Sequence, residues 1–352
     1  MSGTYFQRVT ALTPTRFWIN NVTRIEADLA LAAGAVGCTQ NPSYTYKMMG
    51  AADEKEYVFS ILDKAIAETD DDTEALVLLQ RDLVAAIAKK FMPLYESSHG
   101  RLGYVSIQGD PLHEDTETIV RHARINRKGT SPNVMAKIPA TPDGLTAMDI
   151  LLREGVPINA TEVMCVRQAL DICETYRRAT ADMQHPPMIY YSHIAGIFDE
   201  YLTSLVKKEN IDISPDILRQ AGLIVAKKIQ SLVDEKGYSD VGFISGGARG
   251  LHHFLDWVGS RACVTINWVG TAKNLIDMNP PVAQTFWAPT SYTVEEELIE
   301  KIEDFRKAYF THAIEPEEYE EYGPVELFRS MFVDSWLGAL SEIAKRRKGD
   351  NK

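Results

Sequence analysis

A closed (β/α)8 barrel is the fold this sequence predicts, and three observations carry it. Eight short β-type runs recur along the chain with helical segments between them, the pattern of parallel βαβ units. No Gly-rich dinucleotide fingerprint follows any of these runs, which weakens an open doubly wound sheet. The length of 352 residues exceeds one average domain yet suits a single barrel.

Taken in order, the first run is Phe17-Trp18-Ile19, which follows a short polar leader and stops at Asn20-Asn21. Helical spacing over 24–33 leads to Val36-Gly37-Cys38-Thr39, ending in Gln40-Asn41-Pro42-Ser43. A long helical region covers roughly 53–92, interrupted by the acidic turn Asp70-Asp71-Asp72. Tyr104-Val105-Ser106-Ile107 runs into Gln108-Gly109-Asp110-Pro111, and 114–126 is helical. The fourth run is Val134-Met135-Ala136-Lys137-Ile138-Pro139, after which Thr141 caps a helix whose first residue is Pro142. The remaining runs are 157–161, 188–192, 241–245 and 263–267. Farther on, 293–309 reads as an acidic amphipathic helix, 315–321 as a Glu-rich turn and 325–347 as a helix with a basic end. The expected organisation is a catalytic barrel over 1–290 with a helical extension over 291–352 packed on it. Covering the barrel mouth and mediating a homodimer are both open to those helices.

Composition excludes some classes of function. Acids outnumber bases by 49 to 37, a formal charge of −12 that opposes general binding to nucleic acid or to an anionic membrane. A small anionic substrate needs only one local positive pocket and stays open. Cys38, Cys165, Cys173 and Cys263 have no paired spacing and read as reduced core thiols rather than disulfides or zinc ligands. No signal-like start and no long apolar run is present, so a cytoplasmic location is expected. No cofactor or metal is expected.

One residue stands out within the apolar runs. Lys137 sits inside the fourth, where burial costs an ammonium several kcal/mol and favours the neutral amine. A neutral amine is a nucleophile toward carbonyl carbon. In a (β/α)8 barrel the C-terminal strand ends surround one site. This chain places Asn20, Asn41, Gln108, Asn159, Thr161, Ser192, Arg249 and Asn267 there. These are mostly amides and hydroxyls around one lysine, which points to handling of a carbonyl compound.

These residues resemble the transaldolase family of class I, Schiff-base aldolases. The resemblance is carried by Thr39-Gln40-Asn41-Pro42-Ser43, Val105-Ser106 with Asp110, and Lys137-Ile138-Pro139-Ala140-Thr141 with Asp143-Gly144-Leu145-Thr146-Ala147. Glu154-Gly155-Val156 with Asn159 and Thr161, Gln168-Ala169, Ser192 with Gly196, and Gly246-Gly247-Ala248-Arg249 extend it over roughly 16–275. It implies a transferase that moves a dihydroxyacetone unit between a ketose donor and an aldose acceptor in pentose-phosphate type sugar metabolism. Lys137 would form the Schiff base, with Thr161, Gln108 and Asn20 at the catalytic positions. Asn41 and Asn159 would hold donor hydroxyls and the lysine nitrogen, and Ser192 and Arg249 would bind phosphate. A Gly-rich turn opening a helix at Arg249 would add backbone N–H groups.

Two departures qualify that expectation. Asn20 stands where the family carries an acid/base aspartate, and an amide has no titratable proton near neutral pH. Ile197 stands where an arginine completes the phosphate clamp; no Arg or Lys lies between Ser192 and Lys207, leaving His193 as the nearby residue able to add charge. Gln108 replaces a glutamate but matches the related fructose-6-phosphate aldolases. The alternatives to a transferase are therefore a lyase of that kind with altered substrate, or a catalytically silent homologue that binds sugar phosphates. An unrelated barrel lyase with a structural lysine is a third.

Overall fold

The computed structural model of the chain describes residues 3–349. Eight parallel strands close into a barrel in sequence order: β1 (Arg16–Asn20), β2 (Ala35–Thr39), β3 (Tyr104–Gln108), β4 (Val134–Pro139), β5 (Ile158–Val163), β6 (Ile189–His193), β7 (Gly242–Ser245) and β8 (Cys263–Asn267). The ring is closed by β1 pairing with β8, where Asn20 lies opposite Asn267. Each predicted run became a strand, with ends displaced by a residue or two.

Period-two alternation divides the barrel into two apolar regions. Outward residues such as Phe17, Ile19, Val105, Ile107, Ala136 and Ile138 pack against the helices in one large core. Inward, Trp18, Tyr104, Met135, Tyr190, Ile244 and Cys263 fill the lower barrel as a separate plug. The next inward residues toward the C-terminal strand ends are Asn20, Ser106, Lys137, Asn159, Ser192 and Thr265. The polar layer therefore rests on an apolar floor, the filled interior usual for an eight-stranded barrel.

The helices follow the expectation in part. Tyr5–Leu12 is helical, opened by a reciprocal Thr4–Gln7 capping box and packed through Phe6 on Phe17 with ring centroids 3.9 Å apart. The long helical region is interrupted at the acidic turn, as expected, into Lys55–Glu68 and Asp72–Ser97, the second continuing past Pro93. The acidic helix divides into Tyr292–Lys301 and Glu303–Tyr309, because Ile302 adopts extended backbone (φ −122°, ψ 111°) with its side chain buried. The last helix is Gly323–Lys348. It packs on the helix Asp72–Ser97, where Arg347 Nε lies 2.8 Å from Asp72 Oδ1. Val325, Phe328, Phe332 and Trp336 join it to the main core. All four cysteines are free and buried. Among the described residues, no helix is long and apolar enough to cross a membrane.

The turn after β4 sets where the strand ends. Thr141 Oγ1 accepts from Gly144 N at 3.1 Å, and a Cβ on Gly144 would overlap the Pro139 carbonyl oxygen. Gly144→Ala should therefore push the following helix off the end of β4. The expected loss is roughly 1–3 kcal/mol of stability, read as a lower urea midpoint with an unchanged m-value.

Candidate active site

Lys137 projects from the inner face of β4 and is only 8% exposed. Its Nζ lies 5.5 Å from the Phe328 ring centroid, so the last helix forms the wall above it. Burial pushes the ammonium down to about 8, and the carboxylates of Glu162 and Glu114 pull it partly back up. The amine is thus activated, and the two acids limit how far burial lowers it.

A cavity of about 420 Å³ opens above Lys137 at the C-terminal strand ends. Asn20, Asn41, Ser192, Arg249 and Asn267 line it together with Lys137. Asn20 is engaged on both sides: Thr39 Oγ1 donates to its Oδ1 at 2.9 Å, and its Nδ2 donates to Asn267 Oδ1 at 3.0 Å. Asn41 Oδ1 accepts from Asn21 Nδ2 at 2.9 Å and Ser43 Oγ at 2.6 Å, which turns the Asn41 amide nitrogen toward the cavity. Asn21 holds this corner in left-handed backbone at φ 46°.

Three expected residues do not line that cavity. Asn159 is wholly buried, donating to Ser106 Oγ at 3.0 Å and accepting from Ser192 Oγ at 2.7 Å. It anchors Ser192 from below and lies in register with Lys137. Thr161 is buried with its hydroxyl unpartnered among protein groups. Gln108, paired in register with Lys137, faces a chamber of about 20 Å³ that Lys137 and Glu114 also border, room for roughly one water.

The phosphate end departs from expectation. Arg249 reaches the cavity, but its Nε lies 2.6 Å from Glu200 Oε2, so an internal carboxylate already pairs it. The helix that follows is only His252–Leu255, and the Arg249 N–H donates to His253 Nδ1 at 3.2 Å instead of pointing at the cavity. His193 does not reach the cavity. Strand alternation turns it outward, its ring nitrogens sit 2.9 Å from the Val163 carbonyl and 3.0 Å from the Gly222 carbonyl, and burial pushes it down to about 4. Ile194, Ile197, Phe328, Met331 and Phe332 make the neighbouring wall apolar.

A buried acidic pair beside Lys137 was missed by sequence reasoning. Gln108 Nε2 donates to Glu162 Oε1 at 3.0 Å and to Glu114 Oε1 at 3.1 Å. Arg329, from the last helix, places its Nε 2.8 Å from Glu114 Oε2. Burial and the neighbouring Glu162 charge hold Glu114 well above the usual carboxylate range, and burial likewise raises Glu162. Alternation alone would send Glu162 outward to the helices. The β5–β6 register instead slips by one residue between Ala160 and Val163, and Glu162 takes φ 64°, a conformation costing a non-glycine residue on the order of 1–3 kcal/mol. A signal did exist: a lone acid inside the apolar stretch 156–166 is as anomalous as a lone lysine in β4. Arg329 had none, because its role depends on where the last helix lies.

Among the described residues, no group of three or more His, Cys, Asp or Glu side chains is arranged to hold a metal ion. Residues 18–319 match the model of the transaldolase/fructose-6-phosphate aldolase family. A transaldolase of Thiobacillus denitrificans is 26% identical over 263 residues, 68% of this chain and 70% of that protein. A transaldolase of Saccharopolyspora erythraea is 35% identical over 168 residues, 45% of this chain and 44% of that protein. Transaldolase 1 of Streptomyces avermitilis is 30% identical over 171 residues, 45% of this chain and 43% of that protein. The match thus spans less than half the length of the latter two. A family match over most of the barrel, coinciding with a lysine on the inner face of β4, decides the relationship: this chain belongs to the transaldolase/fructose-6-phosphate aldolase family.

Proposed function

We propose that the chain is an aldolase of transaldolase type that works through a Schiff base on Lys137. The observation that carries this reading is a desolvated, pKa-lowered lysine at the floor of a cavity lined by amides and hydroxyls. The neutral amine adds to a ketone carbonyl, giving a carbinolamine that loses water to form an iminium. Cleavage of the adjacent C–C bond sends its electrons to the iminium nitrogen as a donor hydroxyl loses its proton. The resulting enamine either adds to a second aldehyde, a dihydroxyacetone transfer, or takes up a proton and is hydrolysed, a lyase reaction. Asn41 and Ser192 are placed to hold hydroxyls of the donor, and a sugar or sugar phosphate is the substrate class that this lining fits.

The far end of the cavity favours an altered substrate. Arg249 and Glu200 are each 42% exposed, so their pairing is worth about 1 kcal/mol or less and yields readily to an incoming anion. With Ile197 beside it, the anion site is weaker than a two-arginine clamp. A silent sugar-phosphate binder is the second reading, favoured by the amide at Asn20, which cannot exchange a proton.

Borohydride treatment in the presence of fructose 6-phosphate or fructose should attach the ketose to the Lys137 peptide, seen by mass spectrometry; no adduct with any ketose would sink the reading. Because the ammonium must lose its proton first, trapping should fall about tenfold per pH unit below about 8. Asn20→Asp can be accommodated by a half-turn of the Asn267 amide, which then donates to the new carboxylate. Its turnover should exceed that of the parent, whereas continued silence would favour the binder. Glu200→Gln frees Arg249 and should tighten fructose 6-phosphate several-fold in calorimetry without changing fructose, an effect of about 1 kcal/mol; equal effects on both ligands would remove Arg249 from the phosphate site.

A further inference from the structure

Glu162 is the buried titratable group that the reaction above leaves without a task. It is carried inward by the β5 bulge in left-handed backbone, its Oε1 accepts from Gln108, and its Oε2 is buried with no protein partner. Glu114, held by the same Gln108 nitrogen, has Arg329 as its cation. The quartet of Lys137, Arg329, Glu114 and Glu162 is neutral when every member is ionised. Once Lys137 gives up a proton to become a nucleophile, the same desolvated space would hold one excess negative charge. Moving that proton to a carboxylate removes the excess. Glu114 has one oxygen on Gln108 and the other on Arg329, whereas Glu162 keeps Oε2 free of any protein partner, which leaves Glu162 as the acceptor.

We propose that Glu162 is the proton carrier of the Lys137 site. It takes the proton that the Lys137 ammonium releases and returns it to the hydroxyl oxygen of the carbinolamine. That oxygen departs as water, the C–O bond breaks, and the iminium is left facing the Glu162 carboxylate. No proton or charge is left over. Among the described residues Lys137 forms no ion pair; Gln108, in register with Lys137 and donating to Glu162, is the neighbour the two share. Gln108, Glu114 and Arg329 are positioning residues in this scheme. The amides at Asn20 and Gln108 have no titratable proton to offer, which makes a carboxyl from another strand the available source. The proposal rests on the Lys137 Schiff-base reading.

Two reactions of Lys137 separate the proposal from that reading. Cyanate carbamylates neutral amines and needs no acid catalyst of this kind, whereas ketose adduct formation needs the carbinolamine to lose water. Both are followed by mass spectrometry of the Lys137 peptide from neutral to alkaline pH. If the wild type is carbamylated but never trapped with fructose 6-phosphate or fructose, the Schiff-base reading itself falls. In Glu162→Gln, nearly isosteric and still able to accept from Gln108, ketose trapping should slow on the order of a hundredfold. Carbamylation should persist with its pH midpoint lowered, because a charge that kept the ammonium protonated is gone. Glu162→Asp should recover part of the trapping rate. Arg329→Met leaves the carboxyl in place but removes the cation that holds it ionised, so the alkaline limb of trapping should move to higher pH. Trapping in Glu162→Gln at the wild-type rate and pH profile would overturn the proposal. Parallel loss of both reactions in Glu162→Gln, with the Arg329→Met profile unmoved, would also overturn it.

Discussion

Two carboxylates and two cations meet at the mouth of the barrel, where water cannot screen them, and their balance governs the site. Lys137 on β4 and Arg329 on the last helix face Glu114 and Glu162 across the single amide of Gln108. An isolated ammonium in this position would be driven strongly toward the neutral form, and an isolated carboxylate toward the acid. Held together, each restrains the other. Lys137 falls only to about 8 and remains a base as well as a nucleophile. Removing one partner would leave an uncompensated charge, so the cluster acts as a unit.

The barrel makes such a cluster affordable by separating apolar and polar layers along its axis. Trp18, Tyr104, Met135 and Tyr190 seal the lower interior, which gives the polar residues above them a dry floor. Those residues then satisfy one another around the ring. Ser192, Asn159 and Ser106 form one chain across three strands, and Asn20, Thr39, Thr265 and Asn267 form another across β1, β2 and β8. Such networks fix rotamers, and fixed rotamers hold a substrate hydroxyl in one place. The exception to the alternation is the β5 bulge, and it delivers the one acid that the regular pattern would have turned away.

The last helix gives the site its own character. Phe328, Met331 and Phe332 wall the cavity, Phe328 lies over Lys137, and Arg329 supplies the second cation. One helix thus provides shape, desolvation and charge. At the opposite side the Arg249–Glu200 pair and Ile197 moderate the attraction for an anionic tail. The preference for substrate is set at the rim, while the lysine chemistry is set at the floor.

Much of this was legible from sequence because strand alternation is local. Asn20, Gln108, Lys137, Asn159, Thr161 and Ser192 share one parity in their strands, so their inward direction follows from a period of two. The same parity already turns His193 outward, away from the role considered for it. The strands and most helices were likewise written in apolar spacing and in caps such as Thr141-Pro142. What the sequence by itself determined was the barrel and the face that carries the lysine, since both depend on neighbours a few residues apart. Tertiary structure alone decided that Glu162 turns inward, that Glu200 occupies Arg249, and that Arg329 pairs with Glu114. Each of these depends on a register slip or on contacts between distant segments, and no local periodicity encodes them.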